Sequence, residues 1–349
     1  MLSRQTAIPS LVRVKPGALG RVGLYAERHN IRRVALFFSK DMAPRLLEPL
    51  TNSLEKHGIE VLMRVAVETA SFEEATAHTL ALPSRVEMII GLGGGKALDV
   101  AKYVAFLARK PYWAAPTSLS NDGICSPQSS LTAEGKRRSF PSAMPAGVII
   151  DTEVCLGAPE ILWLSGIGDL VAKLTAVADW KLAFHAVDEP VDDFAALLSD
   201  NSVYQFIGRP IHDLEGVRLL GTTLMLNGIA MSICGSSRPA SGSEHLISHA
   251  LDGMGGRLRL HGLQVGVAAY LISLVQGEHS DTIASLFEAT GFWRAIEADP
   301  LDRSEWIEAV KIAPTIKPGY YTILSARDCL PEMERALDFD PHFRRCFIP

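Results

Sequence analysis

The sequence predicts an N-terminal α/β domain, built on a doubly wound parallel sheet, followed by an all-α C-terminal domain. Between residues 11 and 150, short apolar runs alternate with helical segments of about ten residues, as in repeated βαβ units. From about Pro159 onward, apolar residues recur at helical spacing and no run is typical of a strand. A chain of 349 residues is long enough for two domains, and we place the boundary between residues 157 and 158.

The apolar runs of the first domain are predicted as parallel strands, because charged or turn residues bound them and their composition suits burial on both faces. They are residues 11–14, 34–38, 59–65, 86–91, 112–115 and 147–150. Helices are predicted between them at residues 72–82 and 97–107, with earlier helices that end near Tyr25 and Gly58.

The second domain is predicted as a series of helices, of which the most apolar covers residues 214–234. Its central part contains Asn227 and two glycines and is shorter than a bilayer span, so we interpret it as a buried helix. The other predicted helices are residues 170–184, 194–207, 264–276, 281–290, 306–312 and 331–337, and one that carries His245 and ends after Leu251.

The composition excludes several classes of function. A net charge of −5 provides no basic surface for nucleic acid. Five cysteines, far apart in the sequence, indicate reduced thiols and a cytoplasmic location. The N-terminus has no apolar core typical of a signal peptide, and no membrane partner is expected. Large apolar helix faces, such as residues 219–233, favour a homo-oligomer.

A glycine-rich turn, Gly91-Leu92-Gly93-Gly94-Gly95-Lys96, joins one apolar run to the helix at residues 97–107. Glycines at such a junction allow backbone N–H groups to approach phosphate oxygens at the helix N-terminus. Since Ala97 follows Lys96, the segment does not match a nucleotide-hydrolysing P-loop, and a dinucleotide fits better.

A hydroxyl-rich segment, residues 116–127, follows the next apolar run. It is therefore expected at the carboxyl edge of the sheet, where ligands bind in such folds. Its hydroxyl groups suit a ribose or a carboxamide, and Asp122 adds one carboxylate. The alternative is a hydroxyl-rich surface loop.

Three histidines indicate a metal site in the second domain. His245 and His249 are four residues apart, so a helix presents them on one face, and His261 follows on the next segment. Two imidazoles and one carboxylate form the three-ligand set that catalytic zinc uses. Asp169, in Gly166-Ile167-Gly168-Asp169, is either a helix N-cap or the missing carboxylate. A solvated helix face is the alternative interpretation of the histidine pair.

Five segments, in this order, resemble sn-glycerol-1-phosphate dehydrogenases, which belong to the iron-containing alcohol dehydrogenase, glycerol dehydrogenase and dehydroquinate synthase superfamily. They are GLGGGKALDVAK, PTSLSNDGICSP, SGIGDLVAKLTAVADW, SRPASGSEHLISH and HGLQVGV. The similarity covers about residues 10–325. It implies a nucleotide-binding domain and a helical domain like that of dehydroquinate synthase, with the active site in the cleft between them.

The resemblance also implies roles for individual residues. Asp169, His245 and His261 match the ligands of one divalent metal ion, with zinc favoured, while Asp122 and His249 match catalytic residues in contact with the substrate. The segment that cradles the cofactor pyrophosphate corresponds to Gly94, Gly95, Lys96, Ala97, Leu98 and Asp99. The positions beside the nicotinamide and its ribose correspond to Thr117, Ser118, Ser120 and Ser126.

The implied reaction is hydride transfer between NAD(P)H and a small phosphorylated ketone. The ketone is most simply dihydroxyacetone phosphate, which gives sn-glycerol 1-phosphate. The run at residues 34–38 ends in Ser39-Lys40 and not in an acidic residue, which leaves both nucleotides open. Candidates for the substrate phosphate are Lys136, Arg137, Lys173 and Arg238.

Three alternatives remain: a dehydrogenase of another polyol, ketone or aldehyde, a dehydroquinate-synthase-like cyclase, and a nucleotide-binding paralogue without turnover. That cyclase subfamily carries glutamate at the first metal position, so Asp169 argues against it. The three intact candidate ligands argue against a paralogue without turnover.

Overall fold

A computed structural model describes residues 6–257 and 259–348. The chain divides into two compact units. The first comprises the chain up to Pro159 together with Asp213–Ile233, and the second comprises Glu160–His212 and the chain from Cys234 onward. The division between residues 157 and 158 stays a prediction, and it differs from these units in the segment 213–233, which groups with the first unit.

The first unit contains a six-stranded parallel sheet in the order β1-β8-β5-β4-β2-β3, which confirms the predicted fold class. Its strands are β1 Leu11–Lys15, β2 Arg33–Ser39, β3 Glu60–Val67, β4 Met88–Gly93, β5 Tyr112–Pro116 and β8 Gly147–Asp151. The helices between them are α1 Val22–Arg28, α2 Pro44–Lys56, α3 Phe72–Ala81, α4 Gly95–Leu107 and α5 Thr152–Leu156. Apolar clusters fill both faces of the sheet, as the continuous apolar runs predicted.

An antiparallel hairpin of β6 Gln128–Ala133 and β7 Lys136–Pro141 also belongs to this unit, although the sequence did not predict it. Its turn places Glu134 and Gly135 at positive φ (52° and 74°), the conformation that a two-residue hairpin turn needs. The strand β7 is mostly exposed and rich in basic residues, so it lacks the apolar run by which strands were recognised.

Helices dominate the second unit. They are α6 Glu160–Val187, α7 Asp193–Ile207, α9 Ser243–Met254, α10 His261–Gln276, α11 Ser280–Thr290, α12 Phe292–Glu297, α13 Arg303–Ile312, α14 Ile323–Ala326, α15 Leu330–Phe339 and α16 Phe343–Cys346, whereas α8 Leu214–Cys234 lies mainly in the first unit. Two short strands, β9 Leu301–Asp302 and β10 Phe347–Ile348, pair in parallel, so the expectation of no strand after Pro159 was wrong for these residues.

Helix α6 is much longer than predicted. It begins at Glu160, ten residues before the predicted start, so Asp169 lies inside a helix and is not its N-cap. The predicted break after Leu251 also lies too early, because α9 continues to Met254 and ends at Gly255 with φ +73°. Helix α10 begins at His261 itself.

Helices α6 and α8 are each long and apolar enough to cross a bilayer by length and composition. Of the most apolar window in each, 83% is buried in α6 and 56% in α8. Core helices of globular proteins meet the same criterion, and the burial of α6 identifies it as the core helix of the second unit.

Glycines allow α6 and α10 to pack with their backbones in contact. A Cβ at Gly168 would lie 2.0 Å from the Gly262 carbonyl oxygen, and a Cβ at Gly262 would lie 1.8 Å from the Ser165 carbonyl oxygen. A Cβ at Gly266, one turn later, would lie 2.7 Å from the Gly168 Cα. Since backbone atoms cannot rotate away as side chains do, any larger residue would push the two helices apart.

We expect Gly262→Ala to lower the free energy of unfolding by about 1–3 kcal/mol, because the added methyl overpacks this crossing. Urea unfolding followed by tryptophan fluorescence measures the change. The matched control is Gly253→Ala, in α9, where a Cβ would meet no atom within 4 Å. The control should raise stability by up to about 1 kcal/mol. Equal stability of the Gly262→Ala and wild-type proteins would contradict the close crossing.

Candidate active site

Asp169, His245 and His261 lie together in the second unit. One ligand atom from each lies within 4.8 Å of the others, and His245 Nε2 is 3.6 Å from Asp169 Oδ1. The three residues come from α6, α9 and α10. Asp169 and His245 are buried, while His261 is half-buried. The structure thus brings together the three side chains that the sequence predicted as a ligand set.

The histidine rings are held so that the same nitrogen of each can face an ion. His245 Nδ1 lies 2.8 Å from the buried Glu244 carboxylate, which can only accept, so Nδ1 donates. His261 Nδ1 lies 3.3 Å from Ser248 Oγ, which donates its own proton to Gln264 Oε1 at 3.1 Å. When each ring is neutral and Nδ1 keeps its proton, Nε2 is the nitrogen that can bind an ion.

This donor set fits a divalent cation. Metal-bound histidines in proteins regularly donate their second N–H to a carboxylate or another acceptor, and Glu244 and Ser248 lie at the Nδ1 atoms of His245 and His261 in the positions of such acceptors. One carboxylate oxygen and two imidazole nitrogens leave at least one coordination position for a substrate or water. Asp169, His245 and His261 could therefore hold a catalytic metal ion.

Charges around Asp169 favour its ionised form. Burial alone would raise the pKa of Asp169, but Lys173, whose Nζ is 3.4 Å from Oδ2, and His245 outweigh it and hold the pKa well below its usual range. Burial alone would lower the pKa of His245. Hydrogen bonds with Asp169 and Glu244 outweigh that effect and raise the pKa to about 9.

His249 and Asp122, the two predicted catalytic residues, lie in different units. The His249 ring centroid lies 6.1 Å from that of His261 and 6.4 Å from that of His245. His249 is exposed, so it stands on the solvent side of the three candidate ligands. Asp122 begins a short 3-10 turn, Asp122–Ile124, in the first unit.

The glycine-rich turn leaves open space where a phosphate group can approach. A Cβ at Gly94 or Gly95 would meet no protein atom within 4 Å, and α4 begins at Gly95, so its N-terminal N–H groups face this space. Gly93 has φ +141°, and a Cβ there would lie 2.2 Å from Ser39 Oγ. These backbone positions fit the pyrophosphate of a dinucleotide.

The other residues predicted to bind the nucleotide differ in their exposure to solvent. Lys96 is exposed beside the turn, whereas the side chains of Ala97 and Leu98 are buried in the core, so only their backbone can serve a ligand. The Asp99 carboxylate lies 3.4 Å from Lys102 Nζ.

The hydroxyl-rich segment starts beside the glycine turn, because Thr117 N donates to the Gly93 carbonyl at 3.0 Å. Ser118 and Ser126 are buried, while Thr117 and Ser120 are half-buried. The segment therefore follows β5 at the carboxyl edge of the sheet, as the sequence predicted.

Three of the four candidates for the substrate phosphate have internal partners. Lys173 is fully buried beside Asp169 and the Ala240 carbonyl, and Arg238 pairs with Glu189 and the Tyr321 carbonyl. Lys136 and Arg137 lie on the exposed strand β7, where Arg137 Nε donates to Ser130 Oγ at 2.6 Å.

The residues that hold the histidines were not identified from the sequence. Glu244 directly precedes His245, and Ser248 and Gln264 come from α9 and α10. The adjacency of Glu244 to His245 was a usable signal, because a carboxylate beside a candidate metal ligand can accept the second N–H of its imidazole. The Ser248–Gln264 bond joins two helices, so it left no signal in either segment alone.

Comparisons with known proteins agree with this architecture. The family profile described as "Iron-containing alcohol dehydrogenase" matches residues 13–159. The glycerol-1-phosphate dehydrogenase (NAD(P)+) of Aeropyrum pernix is 37% identical over 342 residues, which cover 95% of this chain and 96% of the relative. The protein of the same name from Metallosphaera sedula is 35% identical over 329 residues, 92% of each chain. Glycerol dehydrogenase from Schizosaccharomyces pombe, a crystal structure, shares the fold with a TM-score of 0.76, at 18% identity over 99% of this chain and 91% of that chain.

We expect binding of Zn²⁺ at the three candidate ligands to release about one proton near neutral pH. The pKa of about 9 keeps His245 protonated in the ion-free protein, whereas a ligand must be neutral. Zn²⁺ affinity should therefore rise about tenfold per pH unit below that pKa and level off above it. Calorimetric titration in buffers of different ionisation enthalpy counts the protons.

The matched control is His249→Asn, which removes a neighbouring imidazole outside the candidate ligand set and should leave the proton count unchanged. An affinity that does not change between about pH 6 and 8 would contradict the protonated state of His245.

Proposed function

Because this chain belongs to the glycerol-1-phosphate dehydrogenase family, we propose that it transfers a hydride between NAD(P)H and dihydroxyacetone phosphate, giving sn-glycerol 1-phosphate, or catalyses the reverse. The observation that carries the proposal is the meeting of Asp169, His245 and His261 in a chain 37% identical to a curated glycerol-1-phosphate dehydrogenase over 95% of its length.

The second unit would bind the ketone oxygen. Asp169, His245 and His261 would hold a divalent cation, zinc in particular, which would supply positive charge to stabilise negative charge on the ketone oxygen. Lys173 and Glu244 keep Asp169 and His245 in place. The exposed imidazole of His249 lies 6.1 Å from that of His261, measured between ring centroids. We therefore propose that His249 holds the proton that the substrate oxygen takes up.

The first unit would bind the nucleotide, which supplies the hydride. Its pyrophosphate would lie against the backbone of Gly94 and Gly95 at the N-terminus of α4, with Lys96 nearby. The strand β2 ends in Ser39 and is followed by Lys40, which pairs with Glu68 at 2.6 Å on the surface. Because the last residue of β2 is a serine and not a carboxylate, we propose that the enzyme accepts both NAD and NADP.

We also propose that the protein forms a homo-oligomer and is located in the cytoplasm. Three large apolar side chains of α7, Phe194, Leu197 and Tyr204, are exposed on one side of the helix. In the part of the chain that the structure describes, no cysteine forms a disulfide, which suits a reducing compartment.

Light scattering after size exclusion should give a multiple of the 37.9 kDa chain mass. A monomer would contradict the proposed homo-oligomer.

We expect His245→Ala to abolish both bound divalent metal and turnover, because it removes a ligand and one of the hydrogen-bond donors to the buried Glu244. Metal content is measured by elemental analysis, which also tests the choice of zinc. Turnover is followed by the absorbance of NADH or NADPH with dihydroxyacetone phosphate. His185→Ala, at the exposed end of α6, is the control and should retain both.

The choice of substrate distinguishes the alternatives. Nucleotide oxidation with dihydroxyacetone phosphate and not with dihydroxyacetone supports the proposal. The reverse preference would indicate a dehydrogenase of another polyol. Consumption of a seven-carbon sugar phosphate without net nucleotide oxidation would indicate the cyclase. Full activity of a chelator-treated, metal-free His245→Ala protein would reject the metal assignment.

A further inference from the structure

Lys102, in α4, has a buried ammonium group surrounded by oxygen atoms. Its side chain has no exposed surface. Its Nζ donates to the carbonyl oxygens of Gly123 (2.8 Å) and Gln128 (2.5 Å). The carbonyl and hydroxyl oxygens of Ser126 lie at 3.3 and 3.4 Å, and Asp99 Oδ1 lies at 3.4 Å. Five oxygens thus converge on one cation.

Four of these five oxygens come from a single loop, residues 121–128, which we call the serine loop. An ammonium group without water is costly unless each of its three N–H bonds finds an acceptor. The carbonyl groups of a loop likewise need donors when they turn inward. Lys102 and the serine loop therefore satisfy each other's hydrogen-bonding groups.

Helix α8 confines the serine loop from another direction. A Cβ at Gly228 would lie 2.3 Å from the Cys125 carbonyl oxygen and 3.0 Å from Ser126 N, so the backbone of α8 packs directly on the loop. Inside the loop, Asn121 Oδ1 accepts from Gly123 N at 2.9 Å. The conformation of the loop thus depends on Lys102 and on the close approach of Gly228.

We propose that Lys102 is a positioning residue for nucleotide binding, which it supports by holding the serine loop. The loop carries Ser126, and the preceding residues Thr117 to Ser120 lead into it from β5. The nucleotide part of this inference rests on the proposed function, because it takes these hydroxyl groups as contacts of the nicotinamide ribose. The loop part rests only on the contacts of Lys102.

The test is Lys102→Met, which keeps most of the side-chain length and removes the ammonium group. Without its central donor, the serine loop should exchange its backbone amide hydrogens faster, as measured by hydrogen–deuterium exchange and mass spectrometry. The dissociation constants of NADH and NADPH should rise about tenfold or more, since several charge-assisted hydrogen bonds that order the loop are lost.

Two controls separate positioning from general damage. Lys110→Met, which removes a lysine just after α4, should change neither loop exchange nor nucleotide affinity. In the Lys102→Met protein itself, Zn²⁺ affinity should stay within about twofold of wild type, because the three candidate metal ligands lie in the second unit.

If Lys102→Met fails to fold, Gly228→Ala tests the same loop from α8 and should also speed its exchange and weaken nucleotide binding. Wild-type exchange and wild-type nucleotide affinity in Lys102→Met would overturn the inference and leave the proposed function intact. If the wild-type protein binds neither nucleotide, the proposed function fails, and the exchange measurement alone still decides whether Lys102 holds the loop.

Discussion

The backbone contact between α6 and α10 is the constraint on which the candidate metal site depends. Asp169 directly follows Gly168, and His261 directly precedes Gly262, so the two glycines that meet are the chain neighbours of two candidate ligands. The distance between the two ligands therefore depends on the distance between the two helices. With the side-chain rotamers unchanged, a wider crossing would move the Asp169 carboxylate away from the His261 imidazole.

Buried charge in both units follows one pattern. Lys102 lies three residues after Asp99, and Lys173 lies four residues after Asp169, so each lysine shares a helix face with a carboxylate. Each ammonium group also donates to backbone carbonyl groups of a separate segment. Lys102 donates to the serine loop, and Lys173 donates to the Ala240 carbonyl. A buried lysine thus joins a helix to an irregular segment that carries binding residues, where apolar packing alone would leave carbonyl groups without donors.

The fold class followed from the sequence because buried parallel strands are continuous apolar runs, and each of the six runs corresponds to a strand of the sheet. The hairpin of β6 and β7 lacks such a run, since buried residues occupy only alternate positions of β6 and β7 is mostly exposed. Helix α8 was predicted correctly as a helix, but its grouping with the first unit depends on contacts such as that of Gly228 with Cys125, which no local pattern expresses.

The segment Gly166-Ile167-Gly168-Asp169 shows why the site was harder to predict than the fold. Two glycines before an aspartate are typical of a helix start, and intrinsic propensity places them outside a helix. In the structure they lie within α6, where the tertiary contact with α10 outweighs the propensity cost. From the segment alone, the N-cap and the buried carboxylate were both open, because the difference lies in which helix packs on Gly168. The histidines favoured the second interpretation, because a buried carboxylate needs charged partners. In the structure these partners are His245 and Lys173.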